Sequence, residues 1–297
     1  MSVAITGWTT LNAWGLGREA FADALSRRRV PPVSGIEVKG MPGVAPYPFL
    51  KADLSAVKEY FPPRALRRVD PFGKMAMLLA AALLKDKPPA EREPLGLIVA
   101  TAFGSFSTNM EFLETIFAGG FATASPMVFT STVHNSAMAA SAIHFGLRGP
   151  AITVSMFEHS VPGALMLAEA WLESGFCKEL LLIAADDFPS LAAYYHARVG
   201  DTPDVERFET LHAEGGAAFM LGTTGPLVLR RGEGETPAVL RPCAHAYGRT
   251  YLAPAFDLAA ACLALEGGWK PDAPFDREQG VMLEFPGWPR RLLKRRA

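Results

Sequence analysis

Glu158 and His159 stand side by side, and a carboxylate next to an imidazole suggests acid–base chemistry near neutral pH. Adjacent side chains at a turn point in different directions, however, so a direct Glu158–His159 pair is not expected. Asp186 and Asp187 close an apolar run and read as a turn or cap rather than as a metal site. His134 precedes, and His144 belongs to, a segment of small residues, where a structural role is expected. His196, His212 and His245 lie in loop-like stretches without metal-ligand spacing. The three cysteines, Cys177, Cys243 and Cys262, also lack that spacing and fit free thiols in a reducing compartment. No metal or cofactor is therefore expected. Phe106, Met110, Phe112, Phe117, Met127 and Phe129 form an aromatic and sulfur-rich set. Core packing accounts for such a set, and the wall of an apolar tunnel is the sharper alternative.

Composition narrows the class. The chain has 297 residues, 49% hydrophobic and 20% charged, with a net charge of −1. These values describe a globular protein with an ample core and no basic field for nucleic acid. The apolar runs are too short to span a bilayer, and no signal peptide is read before Val3. A cytoplasmic location is expected.

The elements that must position these residues alternate in type. Val3–Thr6, Leu95–Thr101, Ala151–Ser155, Leu180–Ala185 and Ala217–Leu221 read as short buried strands. Gly17–Ser26, Pro71–Lys85, Phe106–Ala118, Ser136–Phe145 and Pro162–Ser174 read as helices, and Pro71–Lys85 is apolar nearly all round. Pro31–Leu54 is rich in proline and glycine and is expected to be an extended surface loop. Strands that are apolar throughout, between helices, predict an α/β sheet covered on both faces. The basic Pro289–Ala297 reads as a solvated tail.

A resemblance to a known family rests on several stretches. Ser125–Pro150 (SPMVFTSTVHNSAMAASAIHFGLRGP) and Gly149–Ser160 (GPAITVSMFEHS) resemble the approach to the active site in β-ketoacyl-acyl carrier protein synthases. VAITGWTTLNAWGLGREAFADAL is similar to the family's first strand and helix, and Arg68-Val-Asp-Pro-Phe72 to its Arg-x-Asp-x-Phe. Gly96–Gly120 resembles the strand and helix lining the acyl pocket, and Glu214-Gly-Gly-Ala-Ala218 an EGAAA motif. These pieces occur in the family's order from residue 2 to about 222.

The resemblance implies a thiolase-like layered αβαβα fold. It divides into a synthase N-terminal-like domain at 1–222 and a shortened remnant of the C-terminal half at 223–297. Phe256–Leu265 and Gly280–Phe285 look like a surviving helix and strand of that half. The resemblance also implies that catalysis is lost. Glu158 occupies the place of the nucleophilic cysteine, and a carboxylate cannot hold an acyl chain as a stable thioester. Arg249, in Gly248-Arg-Thr-Tyr251, takes the place of the second histidine of Gly-His-Thr, and a guanidinium cannot act as a neutral imidazole. Nothing resembles the stretch carrying the first histidine.

The implied role is that of a chain-length-factor-like subunit. It would pair with an active β-ketoacyl synthase, and with acyl carrier protein, in polyketide or fatty-acid-type synthesis, including the aryl-polyene kind. On that reading Ala151, Ile152, Thr153, Val154 and Ser155 form the heterodimer interface, while Met110, Phe112, Met127 and Phe129 shape the partner's acyl tunnel. Glu158 then caps a helix or pairs with a partner arginine, and the basic end offers a possible dock for an acidic carrier protein. The alternatives are a malonyl-carrier-protein decarboxylase using Glu158 and a binding protein for acyl chains or acyl carriers.

Overall fold

Apolar runs with no alternation become neighbouring strands covered on both sides, except at Ala151–Ser155, which is largely exposed. The computed structural model describes residues 2–27, 31–39, 41–67, 69–232, 242–271, 275–285 and 287–296. Strand β1 (Ser2–Asn12) and its short return β2 (Gly15–Leu16) lead into helix α1 (Arg18–Leu25). A hairpin of β3 (Val33–Ile36) and β4 (Tyr47–Leu50) follows, then a single turn α2 (Val57–Tyr60) and the long α3 (Pro71–Leu84). After the short α4 (Pro89–Arg92), β5 (Gly96–Thr101) runs into α5 (Phe106–Gly119), α6 (Pro126–Phe129) and α7 (Ser136–Phe145). Next, β6 (Ala151–Ser155) enters α8 (Ser160–Glu173) and β7 (Glu179–Asp186) enters α9 (Ser190–Arg198). The chain continues through β8 (His212–Ala213), β9 (Gly215–Gly222), β10 (Leu227–Arg231), α10 (Ala253–Glu266), β11 (Val281–Leu283) and β12 (Arg291–Arg295).

The main sheet has the order β11-β12-β10-β1-β9-β7-β5-β6, with β2 beside β1. Strands β6, β5 and β7 are parallel, and β9 runs antiparallel to both β7 and β1. Alternate residues of β5 and β7 divide between two cores. Ile98, Ala100, Leu180, Leu182 and Ala184 share a core with α8 and α10, whereas Leu97, Val99, Leu181 and Ile183 share one with α3 and α7. A fully buried Leu or Ile stabilises by about 1.5–3 kcal/mol, so both faces must stay apolar. The close spacing also explains Gly216 of the Glu214-Gly-Gly motif. A Cβ there would lie 1.9 Å from the Ala184 carbonyl oxygen of the neighbouring strand.

The thiolase-like α/β fold is present. Strands β10, β12 and β11 extend the main sheet outward from β1, and α10 packs into the same core as α8. Three expectations change. Pro31–Leu54 is not a plain loop, because β3, β4 and β8 make a second three-stranded sheet. Proline and glycine mask its pattern, yet Tyr47 and Phe49 are buried there against Phe188. His196 lies in helix α9, not in a loop. The basic end is no free tail, since β12 pairs with β10 and β11 and buries Leu292 and Leu293. Arg291 is buried as well and donates to Glu169 of α8. Among the described residues no helix is long and apolar enough to cross a membrane.

Candidate functional site

The turn between β6 and α8 is a sharp elbow. Phe157 has φ of +49°, a left-handed conformation that costs a residue with a Cβ roughly 1–2 kcal/mol. Ser160 secures it. Its hydroxyl accepts from the Met156 N–H at 2.8 Å and has the carbonyls of Phe157 and Thr101 within 2.8 and 2.9 Å. A helix cap by Glu158 is not seen: the first turn of α8 has no side-chain cap, and Glu158 is exposed. Its nearest basic atom is His159 Nε2 at 3.9 Å, beyond hydrogen-bond reach. His159 faces away and accepts from Trp288 Nε1 through Nδ1 at 3.0 Å.

Behind the elbow, Asp186 ties β7 to the end of β5. It accepts from the Thr101 hydroxyl, from Ala102 N–H at 2.8 Å and from Phe103 N–H at 3.1 Å. Burial pushes its carboxyl up to about 6 against these donors. The loop it holds includes Gly104 at φ of +59°, where a Cβ would strike the His134 ring. His134 is itself exposed, with its ring beside Gly104. His144 lies against Phe61 and Phe145, and His245 is within 3.2 Å of the Leu25 carbonyl. Cys177, Cys243 and Cys262 are all buried.

Next to Asp186, a cavity of about 200 Å³ has Phe103, Tyr251, Asp187 and Arg249 in its wall. The rings of Phe106, Phe103, Tyr251 and Phe157 form a chain of contacts, with centroids 6.4, 5.5 and 5.9 Å apart, from the start of α5 to the elbow. Arg249 sits in this wall as an ion-paired residue, with Nη1 at 3.0 Å from Asp201 Oδ2. Sequence reasoning kept His196 and His212 apart, whereas the fold brings their rings to 3.9 Å between centroids, tilted by 38°, beside the same Asp201. Burial, then the charges of His196 and Arg249, pushes His212 down to about 4. Only the alternation Leu211-His-Ala213 before Glu214 hints that His212 lies on a strand.

The residues expected to shape a tunnel divide between two places. Met110 lines a second cavity of about 480 Å³, together with Lys39, Lys74, Glu111 and Glu114. Phe112 turns the other way and meets Phe129 at 5.7 Å, and Phe129 and Met127 are exposed. Phe117 and Phe121 nearby are 80% and 87% exposed. The strand Ala151–Ser155 is paired with β5 alone among the described residues, and its other edge is open. Of the Arg68–Phe72 motif, Arg68 lies outside the described residues. Asp70 caps α3, accepting from Gly73 N–H at 2.7 Å.

Asp187 gives the site a pH signature. Burial first, then Glu214 and Asp186, pushes its carboxyl up to about 7, against the hydrogen bond from Ser107 at 2.7 Å. The native state thus holds a proton that the unfolded chain releases near pH 4. The resulting stability is full below that pH and is lost as pH rises through about 7. The depressed His212 acts in the opposite direction, so the test compares a variant with the parent at each pH. Asp187→Asn is expected to melt higher than the parent at pH 8, with the gap closing toward pH 4. A gap constant from pH 4 to pH 8 would show that folding does not raise the Asp187 pKa.

The β-ketoacyl synthase N-terminal domain family matches residues 45–206. The structure of the ishigamide ketosynthase/chain length factor superposes with a TM-score of 0.75 at 17% identity, covering 99% of this chain and 98% of that one. The ketosynthase ApeO in complex with its chain length factor ApeC, from Xenorhabdus doucetiae, gives 0.62 at 14% identity, covering 99% and 100%. AntDE:AntF, a type II polyketide synthase acyl-carrier protein in complex with its ketosynthase bound to the hexaketide, gives 0.67 at 13% identity, covering 98% of each. No protein of curated function matches the chain in sequence.

Proposed function

The chain belongs to the β-ketoacyl synthase family through its N-terminal domain, and from that premise we propose that it is a non-catalytic, chain-length-factor-like subunit. It pairs with an active β-ketoacyl synthase that works on acyl carrier protein in polyketide or fatty-acid-type synthesis, the aryl-polyene kind included. The observation that carries this reading is the elbow itself. The turn after β6 is strained at Phe157 and leaves Glu158 exposed, and Glu158 is the residue that the resemblance puts in the place of the thiol. Arg249, in the imidazole's place, is held by Asp201. Two exposed apolar areas suit a partner: Ile152, Met156 and Phe157 along β6 and the elbow, and Phe117, Phe121, Met127 and Phe129 around α5 and α6. Phe112, Met127 and Phe129 are the residues we assign to shaping the partner's tunnel, whereas Met110 faces a charged cavity.

Incubation with malonyl- and acyl-carrier proteins should yield neither an acyl-enzyme by intact mass nor a ketoacyl product. Reconstitution with the ketosynthase that co-purifies from the native lysate should restore condensation to that partner only. An acyl adduct on Cys177, Cys243 or Cys262 would overturn the assignment. Glu158→Cys alone should not rescue turnover, because the imidazoles would still be missing.

A further inference from the structure

We infer that His196, Asp201 and His212 form a binding site for a divalent transition metal of the Zn²⁺ type. The three residues come from the last turn of α9, the loop after it and β8, and the fold closes them into one cluster. One donor atom from each lies within 4.8 Å of the other two. His196 Nδ1 is 3.0 Å and His212 Nε2 3.6 Å from the same oxygen, Asp201 Oδ2. Ligands bound at 2.0–2.1 Å to a tetrahedral ion lie about 3.3 Å from each other, a value these two distances bracket. Two of the three donor–donor distances thus already suit a tetrahedron, and the third, between the imidazole nitrogens, is within 4.8 Å.

A second observation points the same way. His212 Nε2 is a buried nitrogen with no hydrogen-bond partner among the described residues. A buried polar atom left unsatisfied is costly, and a metal ion would satisfy this one. The surroundings hold the ligands in place. Phe188 stacks on the His212 ring at 5.0 Å, and Tyr47 packs against both imidazoles. Arg249 Nη1 donates to the same carboxylate, at 3.0 Å from Oδ2 and 3.3 Å from Oδ1, so an ion taking Oδ2 must share that oxygen with the guanidinium or move it onto Oδ1. His196, His212 and Arg249 line the cavity of about 200 Å³, which leaves room for a water or a ligand carboxylate as the fourth donor. The nearby positive charge of Arg249 opposes the ion, so binding is weaker than in a closed structural site.

The site is independent of the pairing proposed above, and its test uses the full chain with Zn²⁺ or Co²⁺ alone. Calorimetric titration with Zn²⁺ should show one saturable site per chain, and Co²⁺ should give the intense visible bands of a tetrahedral centre. His212→Ala and His196→Ala should each weaken Zn²⁺ binding at least tenfold and abolish the Co²⁺ bands. His134→Ala, which changes an exposed histidine outside the cluster, should leave both signals intact. Should the histidine variants fail to fold, Asp201→Asn keeps the side-chain shape and should produce the same loss. Absence of a saturable site in the parent chain would overturn the assignment, as would Zn²⁺ binding unaltered by Asp201→Asn.

Discussion

Replacing Arg291 by leucine should destabilise the fold by about 3–5 kcal/mol, the cost of leaving a buried partner charge without its counter-ion. The side chains of Arg291 and Glu169 are only 4% and 3% exposed, so water cannot take over the lost contact. The pair also joins β12 to α8, the helix that begins at the elbow. Urea denaturation of Arg291→Leu would measure the loss. The double variant Glu169→Leu/Arg291→Leu should recover most of it, because two apolar groups in that place carry no desolvation penalty. A loss below about 1 kcal/mol in the single variant would mean that Glu169 finds another partner or a proton. Either way, the result decides whether the basic end of the chain acts as part of the core.

The second large effect is expected at Ile152. A charge placed there by Ile152→Asp stays hydrated in the free chain, where the change should fall within about 0.5 kcal/mol of the parent. In the complex the same carboxylate would be buried without a partner, at a cost of roughly 3–5 kcal/mol. That corresponds to a Kd raised about a hundredfold or more. Size-exclusion chromatography with the co-purifying ketosynthase would show the two subunits eluting separately at micromolar concentration. Co-elution as for the parent would move the interface away from β6.

The parts of the fold that were legible in the sequence are those with one dominant physical signal. β5 and β7 read as buried strands because both faces had to be apolar, and α3 read as a buried helix for the same reason. β3, β4 and β8 were not legible. Each has four residues or fewer, and Tyr47 of β4 packs on Phe188 and on His212 of β8, both far away in the chain. β12 was hidden by its arginines, whose buried member is explained only by Glu169. The elbow was legible through resemblance, but its anchor was not: Ser160, rather than Glu158, makes the hydrogen bonds. The His196–Asp201–His212 cluster left no spacing to read, because its geometry comes from pairing β8 with β4 and from packing α9 against Tyr47.

The open edge of β6 sets a condition on supply. A strand offering unpaired N–H and C=O groups beside Ile152, Thr153 and Val154 is a template for any extended chain, including another copy of itself. A partner present at a hundred times its Kd adds about 2.7 kcal/mol to the stability of the subunit it binds. On the proposed pairing, copies made beyond the number of partners lack that increment and keep the template exposed, so they should be the first to aggregate or to be degraded. The yield of intact protein should therefore follow the ratio in which the two subunits are synthesised, and doubling the dose of this gene alone should mainly enlarge the insoluble fraction.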